Sequence, residues 1–130
     1  MSATSYGRQK LVDHLTGVAV YTFPRLYLSA HLGDPGEAGS HAFEVSGAGY
    51  ARQPLAGVMS AADADGISVN TTMITFGPAV ADWGTIVFFG IEEAAVGGNM
   101  VCPGVPSLPR TITTGQPLQI PPGQLRLRIT

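Results

Sequence analysis

Two periodicities divide the chain. Between Thr4 and Gly17 the apolar positions fall three and four apart, with Leu11, Val12 and Leu15 on one side and Arg8 and Lys10 on the other. Thr4 or Ser5 offers a hydroxyl suited to capping the start of a helix, and Gly17 suits its end. From Tyr21 onward the period changes to two. Leu26, Leu28, Ala30 and Leu32 alternate with Tyr27, Ser29 and His31, which predicts a half-buried strand with His31 on its polar face. Gly33-Asp34-Pro35-Gly36 is a turn signature, and a loop of small residues continues through Ser40.

Further strands are expected at 50–58, entered over a bend or bulge at Gly47 and Gly49, and at 69–76, broken by Gly77-Pro78. The segment 83–91 is the most apolar and is the expected centre of a sheet. Gly97-Gly98-Asn99 has hairpin-turn chemistry and leads into a strand at 100–105. Pro103, Pro106 and Pro109 argue against a regular interior strand there. Short strands at 112–113, 118–120 and 125–129 finish the chain. This makes about seven or eight strands with turn signals every eight to twelve residues. The predicted fold class is mostly β: an antiparallel β-sandwich or jelly-roll-like domain with a short N-terminal α-helix. Residues 1–20 would be the helix or arm and 21–130 the sandwich. No internal repeat is visible.

Composition changes this picture in one respect. Only 12% of the 130 residues are charged while 45% are hydrophobic, against about 25% charged in ordinary soluble domains. A spanning helix needs about 20 consecutive apolar residues, and the best stretch, 83–91, is too short and contains Gly84, Thr85 and Gly90. The polar run from Ser5 to Lys10 also argues against a signal peptide, so no membrane role is expected. A chain short of charge invites association with copies of itself or other proteins. The net charge of −2 and the lack of a basic run argue against nucleic acid as a partner. Cys102 is the single cysteine and reads as a buried, inert thiol.

Candidate chemistry is sparse. His14, His31 and His41, even with Asp34 or Glu37, lack metal-ligand spacing and read as surface or interface histidines, so no metal is expected. Asp63-Ala64-Asp65-Gly66 opens like a calcium loop but lacks the later ligands, which leaves a polar turn. Glu92 and Glu93 are adjacent and on a strand would face opposite sides, as would Phe88 and Phe89. Ser46-Gly47 is no nucleophile elbow, and Gly47-Ala48-Gly49 is too short for a phosphate loop. No catalytic residue and no cofactor is assigned; the chain is not expected to be an enzyme.

One resemblance bears on function. Leu26-Tyr27-Leu28-Ser29-Ala30-His31-Leu32-Gly33-Asp34-Pro35-Gly36-Glu37-Ala38-Gly39, followed by Glu44-Val45-Ser46-Gly47-Ala48-Gly49-Tyr50-Ala51-Arg52-Gln53, resembles a family of small phage virion proteins usually labelled phage tail fibre protein. The similarity extends to Leu11-Val12-Asp13-His14-Leu15, Ile74-Thr75-Phe76, Ala81-Asp82-Trp83-Gly84-Thr85, Phe89-Gly90-Ile91, Gly97-Gly98-Asn99 and the closing stretch 120–127. Ala48 stands where a glycine is common and His31 where an aromatic is common.

The resemblance implies a bacteriophage structural protein, made in the host cytoplasm and built into the virion. A chain of this size without a repeat or coiled coil cannot build a fibre shaft. That favours a capsid decoration (cement) protein, a homotrimer on the capsid exterior that stabilises the head through contacts with the major capsid protein. The alternative is a tail fibre or tail-tip host-recognition module contacting tail proteins. Tyr6, Arg8, Leu11, Tyr21, Phe23 and Arg25 are the candidate partner-binding residues, on the capsid-facing side; on the alternative, distal loops such as Gly33 to Ser40 would bind a surface glycan or receptor.

Overall fold

Thr4 starts the helix as the sequence suggests. Its hydroxyl accepts the Gly7 amide at 3.0 Å, and Gly17 closes the helix in the left-handed conformation, so α1 runs Ser5–Thr16. Eight strands follow: β1 (Tyr27–His31), β2 (Gln53–Pro54), β3 (Ser68–Val69), β4 (Ile74–Phe76), β5 (Gly84–Glu92), β6 (Met100–Ile112), β7 (Leu118–Ile120) and β8 (Arg126–Leu127). The computed structural model describes residues 3–22 and 24–128, with the backbone alone across 103–108. Phe23 and Ile129 lie outside the described residues.

All pairings are antiparallel. One sheet has the order β2-β1-β5-β6, and two ribbons, β3-β8 and β4-β7, stand apart from it. The molecule is mostly β with a short N-terminal helix, as predicted, and no sheet among the described residues closes into a barrel. Strand β5 occupies the interior of the sheet, in the place its unbroken apolar run demands.

Cross-strand register explains the core. Leu28 pairs with Ile91 and Ala30 with Phe89, so all four share one face. The β4-β7 ribbon lays Ile74, Phe76, Leu118 and Ile120 against it, with the Phe76 and Phe89 rings stacked at 6.2 Å. Trp83 and Tyr50 close this layer in an edge-to-face contact at 5.8 Å. Cys102 is buried here, and burial pushes its thiol up to about 11, the inert group expected. Asp63 accepts the amides of Asp65 and Ile67, which makes its segment the expected polar turn.

Three kinds of departure separate the strand pattern from expectation. Two predicted strands shrink: among the described residues 50–58 keeps only Gln53–Pro54 and 125–129 only Arg126–Leu127. The 69–76 segment splits into β3 and β4, because Asn70 turns its side chain onto backbone carbonyls of Thr72, Ile120 and Pro121 and its oxygen onto the Leu125 amide. The third departure is β6, which is one thirteen-residue strand running through Pro103, Pro106 and Pro109 instead of two short ones. It lies at the sheet edge, where a residue without an N–H is tolerated on the unpaired side, and its register to β5 shifts at three points.

The helix docks on the start of this edge. The Thr4 amide donates to Val101 O at 2.9 Å and the Thr4 hydroxyl to Met100 O at 2.5 Å. Gly7 is buried against Val101, whose carbonyl a Cβ would overlap. No helix among the described residues is long and apolar enough to cross a membrane.

Candidate functional site: a buried polar layer on the second face of the sheet

The period-two pattern of β1 predicts a solvent-facing side carrying Ser29 and His31. Both are fully buried. The reason lies outside the strand: residues 3–4, the loop around Pro35 and Gly39, and His41 cover that face. Met100 links the layers, since its methyl group lies beside His31 Nε2 at Gly90 and its Cβ faces Gly39 and Thr4. Gly90 leaves the room for this, because a Cβ there would come within 2.8 Å of Ser29 Oγ and 3.1 Å of His31 Nε2. His31 is therefore an interior residue and no surface histidine.

Two acids organise the layer. Glu92 is fully buried at the end of β5; its Oε1 receives Ser29 Oγ–H at 3.0 Å and its Oε2 receives His41 Nε2–H at 2.8 Å. Glu44, bridged to His31 across the strand edge, receives Arg52 Nε at 2.7 Å and Nη2 at 2.8 Å, with Tyr50 O–H at 2.8 Å. Arg52 Nη1 reaches the carbonyls of Ala94 and Gly97 at 2.8 Å each and lies 3.8 Å from Glu92. One guanidinium thus ties the segment before β2 to the β5-β6 turn and spans both carboxylates. Tyr50 extends the tie, since its oxygen accepts the Ala30 amide at 3.0 Å.

The tautomer of His31 follows from this bonding. Ser29 Oγ has a single proton, and the Glu92 oxygen 3.0 Å away can only accept. His31 Nε2, 2.8 Å from the same hydroxyl, must then carry the hydrogen and donate it. His31 Nδ1 is left with no hydrogen-bond partner among the described residues. Burial pushes the imidazole down to about 4; His41 and Arg52 add to this and Glu44 opposes it. Burial works against the Glu44 carboxylate as well, but the bonds from Arg52 and Tyr50 prevail and hold it below the usual carboxylate range. Arg52 is raised, chiefly by its bonds to Glu44, and burial drives the Tyr50 phenol far up.

His41, Glu44 and Glu92 place one ligand atom each within 4.8 Å of the others, a spacing that sequence alone did not reveal. The grouping is already neutralised. Both Glu44 oxygens hold Arg52, both Glu92 oxygens have donors, and a cation would have to displace a guanidinium that is 5% exposed. The trio is an ion-pair network rather than a metal centre.

A second cluster fastens the helix. Tyr6 and Tyr21 both donate to Glu93 Oε2, at 2.9 and 2.7 Å, and Asn99 donates to Oε1 at 3.0 Å. Their rings meet edge to face at 6.5 Å, with the Lys10 ammonium 5.5 and 5.8 Å from the two centroids. Burial and the Glu93 bond raise the Tyr21 phenol. Glu92 and Glu93 do face opposite ways, as their adjacency on a strand requires: one serves the inner layer and the other this clamp.

Of the candidate partner-binding residues, the structure brings Tyr6 and Tyr21 together, but inside the molecule. Arg8 is exposed and pairs loosely with Glu37 at 3.4 Å, a contact of little energetic weight. Leu11 is half-buried, and Arg25 is exposed in a different setting beside Leu26 and Leu55. Sequence reasoning passed over Lys10, Glu44 and Arg52. The available signal was scarcity: in a chain this poor in charge, an acid directly following an apolar strand is rarely idle.

The surface carries an apolar strip, Val12, Leu15, Val18 and Val20, each between 56% and 89% exposed together with Val96 at the hairpin turn. An open groove of about 240 Å³ runs between Glu44, Val45, Tyr50 and Arg52 on one side and Val96 and Gly97 on the other. Its polar groups are committed to one another, so it offers no set of groups converging on a reacting atom.

A β scaffold, a buried polar network and exposed apolar side chains fit a structural module of the kind that works by contact. The family model for podophage GP4 fiber I protein gp80 matches residues 2–128, and the chain belongs to this family of phage fibre proteins. No curated protein matches the chain. Membership implies a place in the virion. It also fits the fibre reading rather than the capsid decoration reading in particular.

Proposed function

We propose that this chain is a non-catalytic structural subunit of a phage tail fibre apparatus, a compact adaptor that fastens other fibre or tail subunits in place. The observation that carries this reading is the family match across 2–128, joined to the apolar strip on α1 and the residues after it. Scarce charge supports association, since such a surface does little to keep neighbours apart. Self-association fits the same reading, with a homotrimer as the state to look for by light scattering. The decisive experiment is gold labelling of purified particles with an antibody to this chain, combined with its copy number by mass spectrometry. Label at the tail and a low copy number are expected. Label over the head, in numbers that scale with the coat protein, would instead establish a capsid decoration role. That second reading has one feature in its favour: 130 residues without a repeat or coiled coil.

A further inference from the structure

We propose that the buried polar layer is an acid-operated latch: a second proton on His31 unseats the N-terminal helix and the 35–43 loop while the apolar layer, Val45 and Tyr50 included, stays folded. The inference is independent of where in a particle the chain sits. It rests on how His31 is enclosed. The side chain has no exposed surface, and strand pairing holds it from both sides, with Phe88 on β5 and Glu44 at the isolated bridge. A second proton would go to Nδ1, which has no acceptor among the described residues.

Of the charged and titratable groups around it, only Glu44 favours the charged ring, and burial outweighs it. From β5 comes Glu92, 3.9 Å from Nε2, already shared between Ser29 and His41. From the loop come His41 and Glu44, and from the segment before β2 come Tyr50 and Arg52. Glu44 is the anion nearest in the chain pairing, but both its oxygens are engaged by Arg52. A new positive charge on His31 would sit near Arg52 with no exposed surface of its own, so the proton is accommodated by letting water in.

The cover is the part built to yield. The helix is held by Thr4 to Val101 and Met100, Ser5 N to Glu37 O at 3.0 Å and the Tyr6 and Tyr21 bonds to Glu93, and the 35–43 loop by Leu32 N to Phe43 O at 2.8 Å and His41 to Glu92 at 2.8 Å. The opposite face is locked by the Phe76, Phe89, Leu118 and Ile120 packing, which contains no titratable group. Lifting the cover would present Met100 and Val101, both now buried, as fresh contact surface.

Hydrogen exchange of the full chain between pH 7.5 and 4, corrected for intrinsic rates, tests this. Amides of α1 and of 35–43 should lose protection by about tenfold or more as pH falls from 6.5 toward 4. Those of Ile74–Phe76 and Leu118–Ile120 should keep theirs, and His31→Gln should abolish the step. Nitrogen-15 shifts of the imidazole in the unaltered protein give the protonation midpoint even if that variant fails to fold, and this midpoint must coincide with the opening. Uniform loss across all strands, no loss at all, protonation without opening, or the same opening in His31→Gln would each overturn the latch.

Discussion

Ala48 is the one non-glycine residue with positive φ, at 53°, among those described. Its carbonyl accepts both Trp83 Nε1 and the Val80 amide at 2.9 Å, so the backbone cannot relax without releasing the tryptophan. A left-handed conformation costs an L-residue about 1–2 kcal/mol, part of which glycine returns as chain entropy. Ala48→Gly should therefore stabilise the fold by up to about 1 kcal/mol, read as a higher urea midpoint. Arg52→Leu should act the other way and more strongly. It leaves Glu44 and Glu92 without their cation, and breaking such a buried pair costs about 3–5 kcal/mol, again visible in the midpoint. His31 sets the pH dependence. The unfolded imidazole takes its proton near 6.5 and the folded one only near 4, so the unfolded chain binds more protons in that window. Stability is full above 6.5 and falls as pH drops, by less than the full linkage of about 3 kcal/mol at pH 4 because the opened fold takes the same proton, measurable by denaturant titration at each pH.

Whole elements were legible where one local signal decides them. The helix between Thr4 and Gly17 needs only its two caps, and β5 needs only its apolar run. Strand β1 appears where alternation places it, yet its polar side is interior, because alternation reports side-chain type and not what other segments lay over it. The polar layer was illegible for the same reason: Ser29, His41, Glu44, Arg52 and Glu92 meet only after four separate segments converge. Strand β6 was misjudged because prolines bar an interior strand but not an edge. The helix-sheet contact gives a prediction at this scale. Glycine to alanine inside a helix ordinarily gains about 1 kcal/mol. Gly7→Ala should instead cost about 2 kcal/mol, since the methyl group would strike the Val101 carbonyl, and circular dichroism melts would show it.

At the scale of the molecule, one sheet serves two environments. Its apolar face carries the ordinary burden of stability, and its polar face holds a network whose members satisfy one another almost completely. Among the exposed side chains, Val12, Leu15, Val18, Val20 and Val96 are the most open apolar ones of the helix, the residues after it and the β5-β6 turn. That division fits a fibre-family subunit whose interior fixes its shape and whose outside meets neighbours.

The long rim strand has its own corollary for such a subunit. Beyond the part that the helix covers at Met100 and Val101, an open edge of this length would ordinarily recruit the backbone of the next copy and zip subunits into an endless ribbon. Pro103, Pro106 and Pro109 along it have no N–H to offer, which works against growth by main-chain pairing. Exchanging Pro103, Pro106 and Pro109 for threonine should turn a well-behaved preparation into thioflavin-positive aggregates, and a preparation that stayed clear would show that something other than those prolines guards the rim.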